Sequence, residues 1–280
     1  MKKYCFISKS QGKVLKILAN NYPNISYSAL SSALRKKDIL VNGQRIKENK
    51  TLLLGDNVEF FVPDQTAKIL YDILYQDDNI IVVNKQKGIE VCDGEENIQK
   101  HLQNNYPFVR AIHRIDRNTS GLVLFAKNIN AYKCLVDNLK KDNIHKFYVA
   151  KVFGVPPKKQ DVLYGFLVKD KNKSLVKIYD KCVENSVKII TPYTLISTDQ
   201  QTSVLEIKLV SGKTHQIRAH LAYNNLPIIG DGKYGKNEIN KKYGKTKQCL
   251  TAYKIVFNLP KNCMLEYLNQ TTFELTDWQL

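Results

Sequence analysis

At 280 residues and a formal net charge of +17, the chain suits a large domain with a small one beside it, and its cationic excess points to a polyanionic partner, RNA or DNA first. Ordinary apolar content excludes a disordered chain, and no stretch approaches the roughly 20 apolar residues that a membrane helix needs. Near the first residue the brief apolar run is broken by Ser8, Lys9 and Ser10, which excludes a secretory signal and predicts a cytoplasmic protein.

Nearly all the cations are lysines in a chain rich in Asn, Ile and Tyr. A compositional bias of the source gives the same profile, so charge supports the nucleic-acid class without selecting it. Six cysteines at 5, 92, 134, 182, 249 and 263 form no CxxC pair and read as free thiols. His215 and His220 lie five apart and miss the spacing that aligns two ligands on one helical face. No metal and no cofactor are expected, since a phosphate-cradling Gly-rich loop is missing too. The default state is a monomer.

Taken in order, Val14, Leu15, Ile17 and Leu18 follow helical spacing. Ser26 or Ser28 is placed to cap a second helix carrying Ala29, Leu30, Ala33 and Leu34. That helix ends in Arg35, Lys36 and Lys37, where the dipole tolerates positive charge. Residues 39–46 read as strand, Asn42-Gly43 turn and strand, with Arg45 on the second strand. A Gly55-Asp56 turn and a strand over 58–62 follow. On residues alone the cations form a solvated helix end. The whole pattern resembles the S4 RNA-binding domain, although Gly12-Lys13-Val14 stands where that family carries Arg-Leu-Asp. The resemblance implies an S4-like domain over 1–62 whose Arg35, Lys36, Lys37 and Arg45 contact RNA phosphates, which gives affinity without reading sequence. Residues 63–70, PDQTAKIL, read as a linker, and a second domain is expected over 71–280.

In that domain, residues 79–84 (NIIVVN) suit a buried strand and lead into Lys85, Gln86, Lys87 and Gly88. Residues 111–127, AIHRIDRNTSGLVLFAK, gather His113, Arg114, Asp116 and Arg117 ahead of a turn signal, Asn118-Thr119-Ser120-Gly121, and a strand over 122–126. Gly121 can take backbone angles closed to other residues. A carboxylate set among cations at the lip of a sheet suits a nucleophile or a general base. By charge density alone such a cluster is more often a structural ion pair.

Resemblance changes that balance. Residues 113–122, HRIDRNTSGL, are similar to the HRLDRxTSGL signature of the RluA-type pseudouridine synthases. Asn84, Lys85 and Gly88 keep that family's NKPxG turn, with Gln86 in the place of Pro and no His-Pro pair after it. Residues 146–154 resemble KxYxAxVxG, 211–221 resemble TGRTHQIRxHL with Lys213 for Arg, 227–235 resemble PIxGDxxYG, and 248–252 resemble QxLHA. The likeness runs from about residue 79 to 257, in the family's order.

It implies an α+β fold, a mostly antiparallel mixed sheet flanked by helices, plus the small α/β S4-like domain. It also implies an RNA pseudouridine synthase in which Asp116 carries the chemistry and Arg218 is its ion-pair partner. Tyr148 faces the flipped uracil, where an extruded base needs a new π-face. Arg114 lies beside the nucleic acid, and His113 supports the turn. Attack at C1′, attack on the ring and proton abstraction leading to a glycal all stay open. Without the resemblance, Tyr148 reads as core and Arg218 as a surface residue on a helix. The accessory domain points to large-subunit ribosomal RNA, with transfer RNA as the other substrate. A non-catalytic RNA-binding assembly factor on the same scaffold is the competing class. A DNA-binding regulator has little support, because no helix-turn-helix dimer pattern is present.

Overall fold

A computed structural model describes residues 1–22, 25, 27–62, 71–94, 96–170, 175–278 and 280. The chain divides into two compact units, Met1–Leu70 with Ile98–Pro107, and Tyr71–Asn97 with Phe108–Leu280. The expected linker, 63–70, and the expected cap Ser26 lie outside the described residues.

The first unit contains β1 (Lys2–Ile7), β2 (Gly12–Lys13), α1 (Val14–Asn21), α2 (Tyr27–Arg35), β3 (Ile39–Val41), β4 (Gln44–Ile46), β5 (Thr51–Leu52) and β6 (Asn57–Val62). Four strands form an antiparallel sheet in the order β1-β6-β3-β4. Val14, Leu15, Ile17 and Leu18 do share a buried face, packed with Leu30, Leu34, Ile39, Val58 and Phe60. Lys13, at the start of α1, makes no side-chain cap; Asn49 instead accepts the Leu15 amide at 3.0 Å. Asn42 (φ 51°) and Gly43 (φ 78°) close the β3–β4 hairpin, the doubly left-handed pair that a two-residue hairpin turn requires. β1 escapes a sequence reading because its six residues are exposed or half-buried and carry no buried alternation.

A third helix, α3 (Ile98–Gln103), clusters with this unit. The second unit comprises β7 (Tyr71–Gln76), β8 (Ile80–Lys85), β9 (Arg110–Ala111), β10 (Ser120–Ala126), α4 (Ile129–Lys140), β11 (Ile144–Phe153), β12 (Gln160–Asp170), β13 (Leu175–Tyr179), β14 (Val187–Thr198), β15 (Thr202–Lys208), α5 (Gln216–Tyr223), α6 (Asn237–Lys242), β16 (Leu250–Phe257) and β17 (Thr272–Glu274). Eleven strands make one mixed sheet with the path β13-β12-β14-β15-β11-β16-β10-β8-β7. Neighbours along it are antiparallel except β10 and β16, which run parallel. All seven residues of β10 are buried, as expected for a central strand covered on both faces. Helix α4 starts on Asn128, whose side chain accepts the Ala131 amide at 2.8 Å, and packs Ala131 and Leu135 against Leu122, Leu124 and Ile144. Helix α5 sets Ala219 against Leu167, Ile178 and Ile189. No described helix is long and apolar enough to cross a membrane.

Gly121 is where the two central strands meet most closely. Its φ is +113°, and a Cβ there would lie 2.1 Å from the Ala252 carbonyl oxygen on β16. Gly121→Ala is therefore expected to destabilise the protein by at least about 3 kcal/mol, from left-handed strain plus a backbone clash. Urea titration checks this: the midpoint should fall at unchanged slope.

Candidate active site

Asp116 stands in the turn that enters β10, its carbonyl accepting the Thr119 amide at 2.9 Å. The turn is held from both sides. The Arg117 carbonyl accepts the Lys85 ammonium at 2.9 Å and the Gly88 amide at 2.7 Å, and the Arg117 Nε donates back to the Gly88 carbonyl at 3.0 Å. Thr119 accepts from Gln248 at 2.7 Å, and the Ser120 and Thr251 hydroxyls share a bond at 2.9 Å. Lys85 is fully buried, and burial pushes its pKa down to about 7, with attraction from Glu90 and Asp116 opposing. Three carbonyls, of Gln86, Ile89 and Arg117, receive its nitrogen, matching the three N–H groups of an ammonium. Burial pushes the His113 imidazole down to about 3, so it is neutral, and its Nε2 accepts the Leu124 amide at 3.3 Å.

The cations adjacent to Asp116 in sequence do not pair with it. Arg114 pairs with Asp93 at the surface, and Arg117 turns to Gly88. The guanidinium that reaches Asp116 comes from α5, 102 positions away: Arg218 Nη1 lies 2.7 Å from Asp116 Oδ2. Its other edge is taken by Asp231, with Nε to Oδ2 at 2.7 Å and Nη2 to Oδ1 at 2.9 Å. That fork takes up the Nε–Nη2 edge and leaves Nη1 to meet Asp116, so Asp231 sets the direction in which Arg218 points. Asp231 is fully buried, and its Oδ1 also accepts the Lys233 and Tyr234 amides. Burial opposes both charges, but each partner more than offsets it. Asp231 is held below the usual carboxylate range by Arg218 and those two amides, and Arg218 is raised by Asp231 and Asp116.

Two nitrogens approach one oxygen of Asp116. His215 Nε2 stands 4.0 Å from the same Oδ2. Among the described residues nothing is bonded to Oδ1, and the side chain is a quarter exposed. Asp116, Tyr148, His215 and Arg218 line one cleft of about 140 Å³, with Arg114 and Leu250 also on its wall. Closed cavities of about 150 Å³ take a benzene ring, so the cleft is on the scale of a single ring. Tyr148 sits on β11 opposite Ile207 on one side and Ala252 on the other, where the ladder with β16 skips Tyr253. Such a bulge re-aims side chains beside it. Burial raises the Tyr148 phenol pKa, and the Asp116 charge adds to this, so the ring is presented neutral.

Arg35, Lys36 and Lys37 are exposed at the end of α2, in the first unit. Arg45, also exposed, donates to the Lys37 carbonyl at 2.9 Å. Sequence reasoning gives no site role to Asp231, His215 or Lys85. Each lies inside one of the family-like motifs, which was the available signal, but only the fold shows what they touch.

Residues 79–223 match the family profile described as RNA pseudouridylate synthase. The chain is 32% identical over 259 residues to "Ribosomal large subunit pseudouridine synthase C" of Rickettsia felis, covering 83% of this chain and 84% of that one. It is 30% identical over 250 residues to "Ribosomal large subunit pseudouridine synthase D" of Buchnera aphidicola subsp. Baizongia pistaciae, covering 82% and 76%. Among solved structures, the fold is similar to that of "Human RNA Pseudouridylate Synthase Domain Containing 1", with a TM-score of 0.59 at 21% identity, over 75% of this chain and 91% of that one.

Proposed function

The chain belongs to the RNA pseudouridylate synthase family, and we propose that it isomerises uridines of large-subunit ribosomal RNA with the Asp116 carboxylate as the reacting group. The reaction breaks the bond from C1′ to N1 of uracil, turns the base and rejoins it through C5. It consumes no redox equivalent.

The observation that carries the residue roles is the shared load on Asp116. Oδ2 lies 2.7 Å from Arg218 Nη1 and 4.0 Å from His215 Nε2, while among the described residues Oδ1 has no partner and the side chain lines the cleft. Because Arg218 is divided between two carboxylates, the trio keeps one net negative charge, and Asp116 is oriented without being fully neutralised. A fixed, charged carboxylate beside the sugar or base lowers the entropic part of the barrier. Tyr148 supplies the apolar face on which the extruded uracil stacks. Arg114, on the cleft wall and half exposed, occupies the space the nucleotide leaves.

The ribosomal substrate is supported by the names of the relatives above and by the first unit. Helices α1 and α2, the Asn-Gly hairpin and the cationic α2 end fit an S4-like RNA-binding domain in a protein working where ribosomes assemble. Replacing Arg35, Lys36 and Lys37 together by Gln is expected to weaken RNA binding and leave kcat intact. The dependence of log affinity on log salt should flatten by roughly 0.7–0.9 for each phosphate no longer neutralised. Filter binding across salt concentrations checks it.

The decisive experiment maps reverse-transcription stops on carbodiimide-treated ribosomal and transfer RNA from cells with and without the gene. Stops in large-subunit RNA that vanish on deletion and return with the wild-type gene support the reading. Stops restored only in transfer RNA move the substrate, and an unchanged map sinks it.

A further inference from the structure

His215 is the left-handed residue (φ 53°) at the N-terminal end of α5, backbone uncommon for residues other than glycine, although His is among the types enriched there. Such backbone persists where the surroundings hold a side chain in a required direction. Here the direction is set by a chain of hydrogen bonds. The Val176 amide donates to Tyr234 Oη at 2.9 Å, and the same oxygen lies 2.9 Å from His215 Nδ1. Among the described residues Tyr234 Oη has no other polar partner, and the arrangement that uses both its donor and its acceptor capacity takes the Val176 amide and gives the hydroxyl hydrogen to Nδ1. Burial lowers the pKa of His215; Asp116 opposes this, Arg218 and Lys233 add to it, and Asp231 opposes it. A neutral ring whose Nδ1 accepts must carry its hydrogen on Nε2. That nitrogen faces Asp116 Oδ2.

We propose that the Val176–Tyr234–His215 chain locks the His215 tautomer so that an N–H is presented to Asp116 Oδ2, making His215 a positioning residue for the reacting carboxylate. This rests on Asp116 being the reacting group. The 4.0 Å gap is spanned by one water or by a small closure when the substrate seats. With Arg218 and His215 both directed at Oδ2, that oxygen is held and Oδ1 is left without a protein partner among the described residues.

Two replacements separate this role from a merely structural one. In His215→Gln the amide nitrogen falls near the Nε2 position and still donates toward Asp116. In His215→Asn the amide falls near Nδ1 and still meets Tyr234, and Asn tolerates left-handed backbone well. If His215 only shaped the turn, Asn would be the milder change. The proposal predicts the reverse order: kcat for His215→Asn roughly tenfold or more below that for His215→Gln, with KM for RNA unchanged. Nitrogen-15 NMR of histidine-labelled protein reads the tautomer directly. Of the five histidines, the signals lost in His215→Gln identify this ring. Wild type should show Nε2–H, and Tyr234→Phe a mixture of tautomers. An Nδ1–H ring in wild type overturns the proposal. So does an Asn variant as fast as Gln while Asp116→Asn is inactive. Activity retained by Asp116→Asn would instead overturn the role of Asp116, and this one with it.

Discussion

Asp116→Asn is expected to lower kcat for pseudouridine formation by at least about 10⁴-fold, the scale seen when a reacting side chain is removed, and to leave RNA affinity nearly unchanged. The substitution keeps the volume and the acceptor that Arg218 Nη1 faces at 2.7 Å, so the turn at Thr119 and its anchors to Gln248 and Lys85 should survive. What it removes is the negative charge of the carboxylate that lines the cleft. Single-turnover rates on an RNA fragment, with filter binding beside them, measure the two effects separately. A non-catalytic assembly factor on the same scaffold would bind RNA equally well with either residue and form no pseudouridine even as wild type. An inactive wild type would therefore favour that reading, while a fully active variant would overturn the role of Asp116.

Asp231→Ala should be the most damaging change to stability, at about 3–5 kcal/mol, because it strands the buried Arg218 charge. Arg218 would keep only its bond to Asp116, and the Lys233 and Tyr234 amides would lose their acceptor. Residual activity should fall as well, since nothing then aims Nη1. Chemical denaturation gives the first quantity and the kcat of the folded fraction the second.

The gentler Asp231→Asn reads the electrostatics. Asp231 is held below the usual carboxylate value of 3.8, so its ionisation stabilises the folded state fully above that pH. The contribution drains away as pH falls from there through the folded pKa. Asp231→Asn cannot lose it, so stability against pH should slope less steeply below about 4 than in wild type. Equal slopes would mean that Asp231 is not the ionised partner of Arg218.

Local pattern made much of this protein readable. The i, i+3, i+4 apolar spacing at Val14–Leu18, the Asn42-Gly43 hairpin and the unbroken apolar run after Gly121 each report short-range physics that a few neighbouring residues decide. The same holds for Gly121, whose place after Asn118-Thr119-Ser120 announces a turn before any partner strand is known. Strand β1 and the cap on Leu15 were out of reach: the first is an exposed edge with no periodic signal, and the second is supplied 34 residues away.

The site divides along the same line. From the sequence came the candidates, Asp116, the arginine of α5 and the tyrosine of β11, each carried by a family-like motif of its own. The Arg218–Asp116 pairing was implied by the resemblance; tertiary structure alone decided that Asp231 stands behind it and that the nearer arginines turn away. Arg114 and Arg117, neighbours of Asp116 in the chain, turn to Asp93 and Gly88, while Arg218 reaches it from 102 positions away with Asp231 behind it. Charge in the sequence is a local count, but an ion pair depends on distance and direction. Those are fixed only when β10, α5 and the turn holding Asp231 are packed against one sheet.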